Sequence, residues 1–184
     1  MTKKDNKKST DSTVETNVSA VNAAKNLAQI AHNGQKYGHK PFVKHLHDTV
    51  MVLEEFGYSD EDLLVSAWLH DIVEDTDVLI EQVYSEFGQR VGDLVDAVTD
   101  GPGDTRKEKK ERPYKMIPDV PGAIVLKLAD RIANVRHSIR SRNGKNRWIR
   151  RYRIEHIEFR KNLRKTDAIE MWNYLDNLLG YGEE

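Results

Sequence analysis

Cysteine is absent from the 184-residue chain, and this absence excludes several kinds of site. Disulfide scaffolds, thiol nucleophiles and metal centres with cysteine ligands all need a thiol group. Any bound metal ion must therefore be held by histidine and carboxylate side chains, which suit hard or borderline ions. The chain has seven histidines and 30 Asp or Glu residues from which such a site could be built.

Long hydrophobic runs are also missing. No segment approaches the ~18 consecutive apolar residues of a membrane span, and the mean hydropathy is −0.70, so we expect a soluble protein without a membrane partner. The first 17 residues contain lysines but no apolar stretch of the secretory kind, which favours a cytoplasmic location. Only Met1 and Val14 are apolar in this stretch, so we expect residues 1–17 to form a disordered tail before a single domain over residues 18–184.

Strand-like alternation of apolar and polar residues is absent, and apolar residues instead recur every three or four positions. Ile124, Leu128 and Ile132 show this spacing, which is typical of one face of a helix. The dense charge, two glycines and two prolines of residues 100–113 predict a loop. The pattern therefore predicts an all-α bundle of about eight helices, with approximate bounds 18–31, 41–56, 59–72, 77–87, 89–99, 120–139, 147–164 and 167–179.

A pair of adjacent residues, His70 and Asp71, lies late in the third predicted helix and is followed by Glu74 and Asp75 in the string HDIVEDT. Acidic side chains at the C-terminal end of a helix oppose the helix dipole, and a divalent cation would compensate them. The alternative is a buried hydrogen-bonded His-Asp pair beside a solvated helix end. Successive helical side chains diverge by ~100°, so a metal site here needs further ligands from other helices.

Two residues elsewhere in the chain are candidates for those ligands. His45 lies in the second predicted helix, and Asp130 interrupts the apolar string VLKLADRIANV. A carboxylate in such a stripe needs a partner if it is buried. Together with His70 and Asp71 the set contains two histidines and two aspartates, a combination that suits Mn²⁺, Fe²⁺ or Zn²⁺ with open positions for water.

This set of residues resembles the ligands of the HD-domain metallophosphohydrolases. The longer strings AHNGQKYGHKPFVKHL, HDIVEDT, FGQRVGDLVDAVT and VLKLADRIANV are similar to the hydrolase half of the RelA/SpoT family. They run in the same order over about residues 31–135. At this length the chain resembles the small alarmone hydrolases, of which the metazoan SpoT homologues are examples.

The resemblance implies a single HD-domain helical bundle and an enzyme of alarmone metabolism, as in the stringent response. It implies one Mn²⁺ per chain, held by His45, His70, Asp71 and Asp130, with Fe²⁺ or Zn²⁺ as alternatives. Glu74 and Asp75 match the pair that orients and activates the attacking water. The implied activity removes the 3′-pyrophosphate of guanosine tetra- or pentaphosphate, giving GDP or GTP and pyrophosphate, and a cation beside a proton-accepting carboxylate suits that chemistry.

The resemblance also implies positions that bind the substrate, a small nucleotide polyphosphate. Asn134 matches a residue that contacts the nucleoside, and Tyr152 matches a tyrosine on the substrate side. Lys36 lies in GQKYGHKP, close to where relatives carry an Arg-Lys-Ser type of segment. Arg106 and Lys107 belong to a basic run that could bind phosphate groups, although such runs are usually solvated.

Two other functions are left open by the sequence. The same site could hydrolyse another nucleotide, such as NADPH, ppApp or a dNTP. Alternatively, residues 136–165, with 12 Lys or Arg and two Glu, could bind nucleic acid or a protein partner. Few aromatic residues interleave with this basic segment and no nucleic-acid motif is present, so we do not expect nucleic acid to bind. The oligomeric state is also left open.

Overall fold

The computed structural model describes residues 19–140, 147–165 and 167–182. The predicted tail and residue 18 lie outside the described residues, as do residues 141–146 of the basic segment. The fold is all-α apart from one short hairpin, which confirms the predicted class. The helices are α1 (Ala20–Ala31), α2 (Val43–Glu55), α3 (Glu61–Leu69), α4 (Ile72–Asp75), α5 (Ile80–Phe87), α6 (Gln89–Val98), α7 (Arg106–Met116), α8 (Ala123–Arg140), α9 (Arg147–Leu163) and α10 (Ile169–Leu179).

Helix α8 forms the centre of the bundle because it is apolar over more than one face. Leu126, Leu128 and Ile132 have no exposed surface. Helices α2, α3, α6, α9 and α10 pack against α8, and α1 packs against α3. A polar side chain on the inner part of α8 therefore lies close to residues of α2 and α3, where the predicted histidines are.

Helices α9 and α10 are joined by a buried polar cluster as well as by aromatic packing. Asp176 of α10 lies 2.6 Å from the His156 Nε2 atom of α9 and accepts a hydrogen bond of 2.6 Å from Arg164. Next to this cluster the rings of Phe159 and Trp172 lie 5.3 Å apart. A buried carboxylate with these partners fixes the position of α9, the helix that carries Tyr152.

The predicted helices have bounds within three residues of those observed, but two segments differ from the prediction. The third predicted helix is interrupted after Leu69, and a single turn, α4, follows. Pro41, predicted to open the second helix, lies in a two-stranded antiparallel hairpin in which β1 (Lys36–Tyr37) pairs with β2 (Lys40–Pro41). Gly38 makes the turn between the strands with a φ of +62°, a backbone conformation that favours glycine.

The loop predicted over residues 100–113 is wrong in its second half, where helix α7 begins at Arg106. Thr105 and Glu108 form a capping box at its start. The Thr105 side chain accepts the Glu108 N–H at 3.2 Å, and the Glu108 carboxylate accepts the Thr105 N–H at 3.0 Å. This reciprocal pair satisfies two of the backbone N–H groups that a helix start leaves without partners.

Pro113, which the prediction treated as a loop residue, lies inside α7. A proline has no N–H, so the Lys109 carbonyl four residues earlier loses its usual helical donor. The N–H of Gly101 donates to that carbonyl at 2.9 Å. The loop before α7 thus compensates for the proline, a contact that no local pattern in the sequence reveals.

We predict that Thr105→Ala lowers the free energy of unfolding by about 1 kcal/mol, because the helix start loses its side-chain acceptor. Urea denaturation followed by circular dichroism measures the change. Thr105→Ser keeps the hydroxyl acceptor and should stay close to the wild-type value. Equal stability of the alanine variant and the wild type would contradict this account of how α7 begins.

Candidate metal centre and its cavity

Four side chains from three parts of the bundle place donor atoms close to one another. The Nε2 atoms of His45 and His70 lie 3.2 Å apart. Asp71 Oδ2 is 3.3 Å and 3.2 Å from them, and Asp130 Oδ1 is 3.4 Å and 3.8 Å from them. These separations match those between neighbouring ligands of a divalent ion with bonds of about 2.1 Å. The structure thus brings His45, His70 and Asp130 into one group that could hold a metal ion, and it places Asp71 within 3.3 Å of both histidines.

The break between α3 and α4 lets two adjacent residues face the same point. His70 follows Leu69 as the C-terminal cap of α3, and Asp71, with φ −101° and ψ 0°, leaves the regular helical conformation. The His70 Nδ1–H donates to the Ala67 carbonyl at 2.9 Å. With the proton on Nδ1, the Nε2 lone pair of His70 is directed into the site.

Burial and charge together show that this cluster suits a cation. His45, His70 and Asp130 are only 2%, 1% and 9% exposed. Burial alone would lower the pKa of His45, but hydrogen bonds to Asp130 and Asp71 raise it to about 10. Burial would likewise raise the pKa of Asp71, yet the neighbouring histidines hold it well below its usual range. Since the four groups stabilise positive charge between them, His45, His70 and Asp130 could hold a metal ion, with Asp71 beside them.

Asp130 is fixed by neighbours on its own helix. Lys127 Nζ lies 3.4 Å from Asp130 Oδ2 and donates to the Val98 carbonyl at 3.1 Å. Asn134 donates to Asp130 Oδ1 at 2.5 Å, and its own amide oxygen accepts the Tyr37 hydroxyl at 2.7 Å. Asn134, predicted to contact a nucleoside, therefore also orients a metal ligand. The sequence alone did not show whether Asp130 is buried, and these contacts show that it is a buried carboxylate with partners.

A cavity of about 530 Å³ opens above this cluster. It contains three of the four metal-ligand candidates and most of the other predicted site residues. Lys107 is exposed and does not line the cavity, whereas Lys110, one turn further along α7, does. The predicted residues that line it are Lys36, His45, Asp71, Glu74, Asp75, Arg106, Asp130, Asn134 and Tyr152.

The two carboxylates of α4 line one side of the cavity. The Asp100 N–H donates to Glu74 Oε2 at 3.2 Å, and Gln35 donates to the Asp75 backbone carbonyl at 2.6 Å. Burial, followed by repulsion from Asp100 and Asp71, raises the pKa of Glu74. Burial and repulsion from Asp71 raise the pKa of Asp75 in the same way. A carboxylate with a raised pKa is a better proton acceptor.

Cationic side chains also line the cavity, and acidic residues hold them in place. Glu155 accepts hydrogen bonds from Arg106 at 3.0 Å and from Arg131 at 3.1 Å. The Arg131 guanidinium also lies 5.0 Å from the centre of the Tyr152 ring. Lys110 donates to Asp100 at 2.8 Å. These bonds fix the positions of positive charges that could meet phosphate oxygens.

Lys127 and Arg131 are cavity residues that the sequence analysis did not identify. A signal for both was present, since they flank Asp130 in the otherwise apolar string VLKLADRIANV. A charged side chain on a buried helix surface needs a partner, and both residues are at most 6% exposed. Trp148 and Phe42 also line the cavity, and their position follows from the tertiary fold alone.

In the described parts of the chain, no helix has the length and apolar character needed to cross a membrane.

Comparison with known proteins finds relatives of this chain. The profile of the HD-domain family matches residues 20–153. The guanosine-3′,5′-bis(diphosphate) 3′-pyrophosphohydrolase MESH1 of Mus musculus is 38% identical over 98 residues, which are 52% of this chain and 55% of the mouse protein. MESH1 of Drosophila melanogaster is 36% identical over 138 residues, covering 70% of this chain and 74% of the fly protein. The match thus spans about half the length of the mouse relative and three quarters of the fly relative.

A solved structure is also similar to this fold. It is described as a metazoan orthologue of SpoT that hydrolyses ppGpp and plays a role in starvation responses. The two structures align with a TM-score of 0.74 and 28% sequence identity. The alignment covers 88% of this chain and 96% of the other.

We predict that the purified protein binds a divalent metal ion and that His45→Ala and Asp130→Ala each lose it, because each removes a buried ligand. Elemental analysis after dialysis measures the metal content, and circular dichroism verifies that each variant is folded. His47→Ala, two residues from His45 but with a side chain 48% exposed, is the matched control and should keep the ion. Wild-type metal content in a folded Asp130→Ala protein would contradict the site.

Proposed function

The chain belongs to the HD-domain family, and we propose that it is a metal-dependent nucleotide pyrophosphohydrolase. The proposed reaction removes the 3′-pyrophosphate of guanosine tetra- or pentaphosphate and yields GDP or GTP and pyrophosphate. The names of the mouse and fly relatives support this substrate for the family. Since the match covers about half of the mouse protein, the activity of this chain is inferred from its site as well as from its relatives.

The observation that carries the proposal is the position of the four converging donors at a cavity with mixed charge. Carboxylates lie on the α4 side, and four lysines or arginines besides Lys36 line the cavity: Arg106, Lys110, Lys127 and Arg131. A polyphosphate carries several negative charges, so it needs both a cation at the reacting phosphorus and fixed positive groups around the rest. A cavity of about 530 Å³ is also within the size range of small-molecule sites.

His45, His70, Asp71 and Asp130 would hold Mn²⁺ in this proposal, with Fe²⁺ or Zn²⁺ as alternatives. A divalent ion in this position supplies a Lewis acid that polarises water and neutralises phosphate charge. The protein keeps the ligands ready by fixing their outer partners, since Lys127 and Asn134 bond Asp130 and the Ala67 carbonyl orients His70. Such outer contacts hold each ligand in the geometry that binding requires.

Glu74 and Asp75 would handle the proton of the attacking water. The water oxygen forms a bond to the phosphorus next to the ribose, and a carboxylate takes the water proton. The bond from that phosphorus to O3′ breaks, and O3′ takes up a proton from solvent to leave as the ribose hydroxyl. The raised pKa values of Glu74 and Asp75 favour this role, because a proton acceptor works best when its pKa approaches the working pH. The Asp100 N–H holds one oxygen of Glu74, which leaves the other oxygen for the water.

The remaining predicted residues would bind the nucleotide. Asn134 and Tyr152 line the cavity, where a nucleoside would extend from the reacting phosphate. Lys36 and Arg106 would contact phosphate oxygens, and Lys107 would act only on groups outside the cavity, since it is exposed. Charge-assisted hydrogen bonds of this kind position a substrate more strongly than neutral ones.

Other properties remain predictions from the sequence. The same centre could act on NADPH, ppApp or a dNTP, and the basic 136–165 segment could bind nucleic acid or a partner. The complete set of four ligands favours the enzyme over a binding module. A cytoplasmic location, and the disordered 1–17 tail before a hydrolase domain over 18–184, also remain proposals.

We predict that the protein with Mn²⁺ releases pyrophosphate from ppGpp and pppGpp, and that Glu74→Gln keeps its metal but loses a factor of about 100 to 10,000 in rate, because the amide cannot accept the proton. The test incubates both proteins with ppGpp, pppGpp, ppApp, NADPH and dNTPs and separates the products by chromatography. Glu81→Gln makes the same change at an exposed site on α5 and should retain full activity.

Each outcome of this test has a definite meaning. Turnover of ppApp or NADPH without turnover of ppGpp would replace the proposed substrate but keep the enzyme class. No product from any nucleotide, with metal bound, would contradict the hydrolase. A wild-type rate in Glu74→Gln would remove the role of Glu74 as the proton acceptor.

A further inference from the structure

A second cavity, of about 710 Å³, lies beside the catalytic one. It is bounded by the β1–β2 turn, by the outer face of α2 and by the C-terminal half of α8. None of the four metal-ligand candidates lines it. Its lining is rich in basic groups: His39, Lys40, Lys44, Arg136, His137 and Arg140.

The two acidic residues of this cavity are already paired. Asp48 forms an ion pair with Lys44 one turn before it, and Glu55 accepts a hydrogen bond of 2.6 Å from Arg136. Arg136 also donates to the Tyr174 hydroxyl at 3.0 Å, so it is held in place by two bonds. The carboxylates therefore neutralise two of the lysines and arginines and leave the others uncompensated.

The uncompensated cations are Lys40 and Arg140. Within residues 19–140, 147–165 and 167–182, neither makes an ion pair with an acidic side chain. Burial lowers the pKa of His137, and the charges of His45, Lys40 and Lys44 lower it further, against the opposing effect of Asp48. Two free cations in one concave surface attract a ligand with more than one negative charge.

From this arrangement we infer that the second cavity is an anion site that binds the oligophosphate group of a small molecule, separately from the catalytic cavity. Lys40 from the hairpin and Arg140 from α8 would contact the phosphate oxygens, with His39 beside them. The apolar side chains of Met51 and Val52 form part of the wall and would contact the less polar part of such a molecule. A cavity of this volume accommodates a ligand of nucleotide size.

The two cavities share one wall, formed by Gly38 and His137. The His137 ring lies 4.1 Å from the Tyr37 ring on the catalytic side. Gly38 allows this close approach, because a Cβ atom at that position would lie 3.2 Å from His137 Nε2. An anion in the second cavity therefore lies behind the aromatic wall of the catalytic one, and its binding does not depend on the hydrolysis proposed above.

Methionine NMR can test this site, because Met51 lines the second cavity while Met116 and Met171 line neither. The full chain is labelled with ¹³C at the methionine methyl groups and titrated with inorganic pyrophosphate. Met51→Leu assigns the signal. The expected result is a saturable shift of the Met51 signal, with Met116 and Met171 unchanged, which sodium chloride of equal ionic strength does not reproduce.

Variants then locate the binding groups. Lys40→Ala with Arg140→Ala should weaken binding by about tenfold or more, since each loses a charge-assisted contact to phosphate. Lys36→Ala, which removes a cation of the catalytic cavity only, and Lys115→Ala, on the surface of α7, should leave the affinity within twofold. The unchanged Met171 signal, from a core residue, verifies that each variant is folded.

Three results would overturn the inference. The first is no shift of the Met51 signal at any pyrophosphate concentration. The second is a shift that the Lys40 and Arg140 changes leave unaltered. The third is a shift that disappears in Lys36→Ala, because pyrophosphate would then be acting from the catalytic cavity.

Discussion

Buried charged groups meet where α2, α3 and α8 come together, and the fold is organised around them. These groups repel one another and have lost most of their contact with water. Asp71 and Asp130 approach the same two imidazoles within 3.2–3.8 Å, in a position where water has little access. Charges in such a place are tolerated only when they are compensated. The surrounding helices supply partial compensation through Lys127 and Asn134, and a divalent cation would complete it.

The same requirement explains how charge is arranged in the cavity above. A site for a polyphosphate must attract negative charge without neutralising its own carboxylates. Glu74 and Asp75 lie on α4 and the arginines lie on α7 and α8, while Asp100 bonds both Glu74 and Lys110. Glu155 and Asp100 hold the cations by hydrogen bonds, so that their positions are set before a ligand arrives. Such preorganisation removes the cost of rearranging dipoles and charges during a reaction.

Much of the fold could be predicted from sequence, because the spacing of apolar residues and the glycines at helix ends are local signals. The candidate metal ligands could be predicted for a similar reason. Asp130 stands out in an apolar helix, and HDIVEDT concentrates charge at a helix end. Helix α7 could not be predicted from the sequence, since Pro113 is tolerated only through the distant contact between Gly101 and Lys109. The basic run could not be divided into cavity and surface residues for the same reason, because a loop has no helical phase that would tell Lys107 from Lys110. The role of the break at Asp71, which turns two adjacent side chains to one point, also depends on tertiary structure.

We propose that four side chains, His45, His70, Asp71 and Asp130, bind one divalent ion. Anomalous X-ray diffraction from crystals grown with Mn²⁺, recorded on both sides of the manganese absorption edge, tests it most directly. We expect a strong anomalous peak at about 2.0–2.2 Å from His45 Nε2, His70 Nε2, Asp71 Oδ2 and Asp130 Oδ1. A peak bound elsewhere, or four ligands in place with no peak between them, would contradict it.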